Sequence, residues 1–199
     1  MSNDVIAFVQ ARQGEVKRTN LEAVSEGARL AAGLGGRCVA VVMGSGAAEA
    51  ARRMGRHGAA RAIAVDEPAV HDYNGDVYGR TLAEIARARD PRAVVLSATA
   101  AGKDLAPRVA ARLQAGYAAD CTGVELREGR IVARRPVYAG KAIAEVGFES
   151  PVAVLSLRPN NFEVREVEGE ARSRPHPRSP RACAPTSSSS GRAGAPPPI

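Results

Sequence analysis

The sequence has no tryptophan and few aromatic residues of any kind, 4% of 199. Hydrophobic residues still make up 45% of the chain, so a core built from it must close on Ala, Val, Leu and Ile rather than on large rings. Cysteine is scarce as well. Cys38, Cys121 and Cys183 are an odd number without C-x-x-C or His spacing, and they indicate neither a disulfide framework nor a zinc site. Cys38 lies in the run Cys38-Val39-Ala40-Val41-Val42-Met43 and reads as a small buried hydrophobe. No run approaches the roughly 18 apolar residues that a membrane-crossing helix needs. Met1-Ser2-Asn3-Asp4 lacks the basic-then-apolar opening of a secretory signal. A cytoplasmic chain without membrane insertion is expected.

A catalytic constellation is missing too. His57, His71 and His176 have no Ser or Cys and orienting group beside them, so no catalytic residue and no metal ligand is nominated. Cys121 has nothing adjacent to lower its pKa. Asp66, Asp104 and Asp120 stand near expected strand or loop ends, where parallel sheets place ligands, yet each reads first as a cap or turn residue. Gly44-Ser45-Gly46 joins a strand to a helix, where backbone N–H groups can face a phosphate. The full dinucleotide fingerprint needs a third Gly where Glu49 stands, so a tight turn is the better reading.

Acidic residues are absent from 171–199, which holds Arg172, Arg174, Arg178, Arg181 and Arg192. The net charge of +7 is therefore mostly a property of that segment. Before it, 23 basic residues are interleaved with 21 acidic ones, and no patch for nucleic acid stands out. The same segment carries seven of the chain's 13 prolines, six serines and one large aliphatic residue, Ile199. Such a stretch cannot bury enough apolar surface to offset its ordering entropy. Two parts are expected: an α/β domain over 1–168, and a disordered Arg/Pro/Ser-rich tail over 169–199 that takes no part in the fold. The tail has the composition of a GC-rich coding sequence read out of frame.

What is present alternates. Val5-Ile6-Ala7-Phe8-Val9, Cys38 to Met43, Ala62 to Asp66 and Val94 to Ser97 are short apolar runs, as expected of strands buried on both faces. Between them the spacing predicts helices. The first carries Leu21, Val24, Ala28 and Leu30 on one face, capped by Thr19 or Asn20 and ended at Gly33, Gly35 and Gly36. Others run over 47–56, 76–89 and 102–113; in the last, Pro107 is tolerable only in or near the first turn. After 117 no helix is expected. Segments 120–126 and 131–136 flank a turn at Glu128-Gly129 and form a hairpin, and 142–148 and 152–157 are further strands. The fold class is α/β: a doubly wound, mainly parallel sheet, Rossmann-like or adenine-nucleotide α-hydrolase-like, with an antiparallel β extension.

Two stretches stand above this background. Gly102-Lys103-Asp104-Leu105-Ala106-Pro107-Arg108-Val109-Ala110 opens a helix at a strand's carboxyl end, and Arg135-Pro136-Val137-Tyr138-Ala139-Gly140-Lys141-Ala142 sets an Arg, a Tyr and a Gly in the β extension. With Asp120-Cys121-Thr122-Gly123 between them and Val154-Leu155-Ser156-Leu157-Arg158-Pro159-Asn160-Asn161-Phe162 at the end, their order and spacing resemble the α subunit of electron-transfer flavoproteins over residues 3–168. Lys141 departs from the pattern, since many relatives have Asn there.

The resemblance implies a heterodimer of this α subunit with a β subunit, holding one FAD and carrying electrons from flavin dehydrogenases to a membrane quinone oxidoreductase. It implies that the domain seen here packs against the β subunit, while a C-terminal domain holds the FAD. It places Arg135, Tyr138 and Gly140 near the flavin domain or partner, and Gly102, Lys103, Asp104 and Arg108 at the interface. Because residues 172–199 carry no flavin motif, the expectation is a truncated α subunit, an electron-carrier component rather than an enzyme, that binds no FAD alone. The competing expectation is a free-standing protein binding AMP or ATP, which needs phosphate-facing groups in the loop Gln10 to Lys17. A functionless fragment of a broken gene shares every folded-domain feature with the first reading.

Overall fold

The computed structural model describes residues 2–167 and 172–175. In chain order the elements are β1 (Val5–Arg12), β2 (Glu15–Val16), α1 (Arg18–Leu34), β3 (Cys38–Gly44), α2 (Ala47–Arg53), β4 (Arg61–Val65), α3 (Pro68–His71), α4 (Gly75–Arg89), β5 (Ala93–Ser97), α5 (Ala100–Leu113), β6 (Gly116–Cys121), β7 (Gly123–Arg127), β8 (Arg130–Val137), β9 (Ala142–Gly147), β10 (Ala153–Leu157) and β11 (Arg172–Pro175). Single 3-10 turns follow α2 and β8. The main sheet runs β11-β4-β3-β1-β5-β10-β6, all parallel, with the two-residue β2 folded back antiparallel on β1. A separate antiparallel sheet has the order β7-β8-β9. Among the described residues no helix is long and apolar enough to cross a membrane.

The strands are apolar on both faces because both faces are covered, but the two faces differ in size. Val5, Ala7, Val9 and Ala11 of β1, with Cys38, Ala40 and Val42 of β3, meet α1 and α2. Ile6, Phe8, Val39, Val41 and Met43 meet Tyr78, Leu82 and Ile85 of α4 and Leu105 and Val109 of α5. The second face takes the larger side chains, including an edge-on contact of Phe8 with Tyr78 at 6.1 Å between ring centres. Alanine on the first face lets α1 come close. A Cβ on Gly27 of α1 would lie 3.3 Å from the Ala7 Cβ and 3.4 Å from the Cys38 sulfur. Val124, Ile131 and Ala133 join this core from the small sheet.

The structure corrects the sequence reading at several points. Ala153–Leu157, expected in the β extension, is instead a central parallel strand between β5 and β6, buried along its whole length. Segment 120–126 divides, its first residues ending β6 and the rest forming β7. Helix α1 begins at Arg18 and is capped by Lys17, two residues before Thr19, the first of the expected caps, and with no side-chain hydrogen bond; the Asn20 amide is turned instead to the Gln10 carbonyl at 3.1 Å. Pro107 lies in the middle of α5. It and Lys103, whose carbonyl loses an N–H partner there, are both exposed, so the missing bond falls on the solvent side of the helix. The hairpin at Glu128-Gly129 forms as expected, with Arg127 opposite Arg130.

Residues 160–167 cross α1 as a strap. The Asn160 N–H donates to Glu22 Oε2 at 2.9 Å, the Arg165 N–H donates to Ser25 Oγ at 3.0 Å, and the Val167 N–H donates to the Arg56 carbonyl at 2.8 Å. His57 Nδ1 donates to the Arg165 carbonyl at 3.2 Å. Glu22 is only 1% exposed. Past the strap, the backbone of Arg172–Pro175 pairs with Arg61 to Ala64 of β4, so four residues assigned to the tail extend the sheet. The rest of the expected tail lies outside the described residues.

Two outcomes follow from this packing. A Cβ on Gly102 would fall well inside the Ser97 carbonyl oxygen, where α5 leaves β5. Gly102→Ala is expected to cost about 3 kcal/mol in chemical denaturation, whereas Gly147→Ala, with no atom near its new Cβ, stays within about 0.5 kcal/mol of the parent. Glu22→Ala removes the buried carboxylate that accepts from the Asn160 N–H; a loss of about 1–3 kcal/mol is expected, with faster amide exchange confined first to 160–167.

Candidate functional site

Strand order reverses at β1, whose neighbours are β3 and β5. Ligands of open α/β sheets sit in the crevice outside the strand carboxyl ends at such a point. Here that crevice has a volume of about 780 Å³ and is walled by Gln10, Arg12, Lys17, Asn20, Tyr73 and Asp104, among others. The backbone N–H groups of the neighbouring loops, which could face a phosphate, are largely bonded within the chain itself. The Gln13 N–H donates to Ser45 Oγ at 2.8 Å and the Gly14 N–H to the Ser45 carbonyl at 3.0 Å, so the loop after β1 is pinned as a tight hairpin. At the Gly44-Ser45-Gly46 turn, the Asp66 carboxylate accepts from the Gly46 N–H at 3.3 Å and the Ala48 N–H at 3.5 Å. Asp66 also accepts from His71 Nε2 at 3.1 Å. A side-chain anion thus fills the place of a phosphate. These residues do not fit the diphosphate of a dinucleotide such as FAD.

The helix start at α5 separates the four residues expected together at an interface. Gly102 is buried against Ser97 and presents no surface. Asp104 and Arg108 are one turn apart and bonded, Arg108 Nε donating to Asp104 Oδ1 at 2.8 Å; the Tyr73 hydroxyl donates to Asp104 Oδ2 at 2.8 Å. The Tyr73 hydrogen bond first, and the Arg108 one second, hold the Asp104 carboxyl below the usual carboxylate range. Burial, then Asp104, pushes the Tyr73 hydroxyl up. Lys103 is exposed and turned the other way, its charge reaching Asp120.

Asp120 ends a network at the carboxyl edge of β6 and β10. Arg158 donates to Asp120 Oδ2 through Nη2 at 2.6 Å and Nε at 3.2 Å. Ser156 Oγ accepts from the Asp120 N–H at 3.0 Å and lies 2.9 Å from the Tyr117 hydroxyl. Beside it, Arg135 and Arg158 line a pocket of about 440 Å³ whose remaining wall is Pro136 to Gly140. Arg135, Tyr138 and Gly140 are therefore brought together by the turn that closes β8. Tyr138, Ala139 and Gly140 all have positive φ, at 50°, 54° and 88°. Two non-glycine residues in this region store local strain of about 1–2 kcal/mol each. The turn holds Tyr138 81% exposed, and Ile143 on β9 is 53% exposed. Sequence reasoning missed Arg158 as the partner of Asp120; its position directly after an apolar strand was the available signal.

No three His, Cys, Asp or Glu side chains among the described residues gather with the spacing a metal ion needs. Burial pushes the Cys38 and Cys121 thiols up to about 12, so neither is a thiolate at neutral pH. What the surface offers is recognition: charges held in fixed positions beside exposed apolar side chains.

Comparison with known proteins agrees with the fold. The family model described as electron transfer flavoprotein domain matches residues 5–179. The chain is 31% identical over 168 residues to "Electron transfer flavoprotein subunit alpha" of Bacillus subtilis (strain 168), covering 84% of this chain and 51% of that protein. It is 34% identical over 168 residues to "Protein FixB" of Clostridium saccharobutylicum, covering 83% and 50%. It is also 34% identical over 129 residues to "Acryloyl-CoA reductase electron transfer subunit beta" of Anaerotignum propionicum, covering 65% and 35%. The chain spans about half the length of the first two of these curated relatives. With a family model matched along most of its length, the chain belongs to the electron transfer flavoprotein domain family.

Proposed function

We propose that this chain is an α-type assembly domain of an electron-transfer flavoprotein. It joins a β subunit to form the base of a heterodimer in which FAD, held outside the described residues, carries electrons from flavin dehydrogenases towards a quinone oxidoreductase. The cofactor supplies the redox chemistry, so a domain with no acid–base constellation suits this task. One observation carries the reading. Both backbone turns that a nucleotide would use are already bonded to Ser45 and Asp66, while the exposed large side chains Tyr138 and Ile143 gather at β8 and β9. The same observation weighs against a free-standing AMP- or ATP-binding protein.

The contact surface in this reading includes Arg135, Tyr138 and Gly140, with Lys103, Asp104 and Arg108 along the first half of α5 and just beyond it. Gly102 supports the start of that helix from beneath through its contact with Ser97.

The chain purified alone is expected to be colourless. Co-expressed with the β subunit of the same source, it is expected to co-purify with it through size exclusion. A yellow preparation of the chain alone, with a flavin absorbance spectrum, overturns the cofactor assignment. Failure of the two chains to associate overturns the assembly role.

A further inference from the structure

Beyond the carboxyl ends of β6 and β10 the surface holds more positive charge than its own carboxylate can match. Asp120 is bonded by Arg158, and the charges of Lys103 and Arg135 act on it as well. The Arg158 bond leads in holding its carboxyl low, with the three cations adding to it. The charge of Arg135 also acts on Tyr117 and Cys121. Its Nε is shut off from water and has no hydrogen-bond partner. An unpaired buried N–H is costly, and on a cation more so. Arg135 and Arg158 open into the pocket of about 440 Å³, whose lining contains no acidic residue.

We propose that this pocket takes an acidic side chain of a partner polypeptide, bound between Arg135 and Arg158 with Tyr138 packed beside it. The inference rests on the reading that the chain pairs with a β subunit, and it names the chemistry of that contact. Charge argues for the occupant: three cations face one carboxylate, and a second carboxylate brings the cluster closer to balance. The neighbouring side chains argue for a polypeptide rather than a free anion. Tyr138 lines the pocket and Ile143 lies opposite its wall residue Pro136 in the β8–β9 ladder; both remain in water unless a larger surface covers them. Arg and Tyr around a desolvated centre are the residue types that dominate interface energies. Asp120 is then the internal competitor. It keeps Arg158 oriented in the free chain and shares it in the complex.

The test titrates the co-expressed β subunit against the full chain at low and high salt, with thermal unfolding to show that each variant is folded. Arg135→Gln is expected to weaken binding about tenfold and to flatten its salt dependence. Tyr138→Ala, at an exposed position, is expected to weaken it severalfold. Asp120→Asn keeps a residue suited to the φ of 55° found there and frees Arg158; it is expected to tighten binding, which a merely structural role would not do. If the parent binds while Arg135→Gln and Tyr138→Ala leave Kd within about twofold, the proposal falls and the pairing stands. Weaker binding by folded Asp120→Asn also overturns it. So does inorganic phosphate that binds through Arg135 as tightly as the subunit does. A parent chain that does not bind the subunit removes the underlying reading instead.

Discussion

A parallel sheet covered on both sides, in a chain with almost no large rings, has to be closed by bringing backbones together. That constraint organises the molecule. On the α1 side, Ala7, Ala40, Ala62, Ala93 and Ala153 leave room that a helix at short range fills, and Gly27 is a point of close approach. Dispersion contacts fall off steeply with separation, so alanine packing stabilises only when the fit is tight. The same need recurs at Gly102, where α5 begins directly against the β5 carbonyl. A helix seated that closely has its register fixed along its length. Glu22 and Ser25 of α1 can therefore present acceptors at set points, and the strap 160–167 is laid across them without a run of apolar residues of its own.

The polar groups follow the same economy. Loops at the carboxyl end of a parallel sheet point backbone N–H groups outward, and a nucleotide-binding protein leaves them for its ligand. Here Ser45 and Asp66 take them. Tyr73, Asp104 and Arg108 likewise satisfy one another. On the small sheet, Arg127 binds both Glu125 and Glu145, exposed pairs that solvent screens and that add little to stability. Against this background of paired charge, Arg135 beside the Asp120 cluster keeps a buried Nε with no partner.

Legibility in the sequence tracked how local the cause was. Val5 to Val9, Cys38 to Met43 and Val94 to Ser97 can be read as buried strands because burial on both faces removes the alternation and leaves an apolar run. The hairpin at Glu128-Gly129 is legible because two residues at positive φ suffice to make it. The place of β10 is not legible. An apolar run says that a strand is buried but not between which neighbours, and Ala153–Leu157 enters the interior of the sheet, between β5 and the edge strand β6, after three antiparallel strands. Nor is β11, since its pairing with β4 is made by backbone groups that any sequence supplies. Pro107 inside α5 is not legible from the proline rule either, since the lost hydrogen bond and ring clash argue against it there, and the structure keeps it on the exposed side of the helix. At the candidate site, the stretch 135–142 was legible through resemblance, but the Asp120–Arg158 pair spans 38 positions and exists only once β6 and β10 are adjacent.

That last dependence joins fold to function. Asp120 adopts a φ of 55° at the end of β6, where a shift in the register with β10 falls between Leu155 and Leu157. The shift brings Ser156 Oγ under the Asp120 N–H and lets Arg158, one residue beyond the strand, fold back on the carboxylate. Without the irregularity, Arg158 would leave the sheet edge along the strand direction. With it, a guanidinium is held at the mouth of the pocket that Arg135 enters from β8. The antiparallel sheet and the parallel sheet are separate hydrogen-bonded units, and this cluster is where charged groups from both meet. A partner that binds there contacts both sheets at once, and so reads the arrangement of the whole domain rather than the conformation of a single loop.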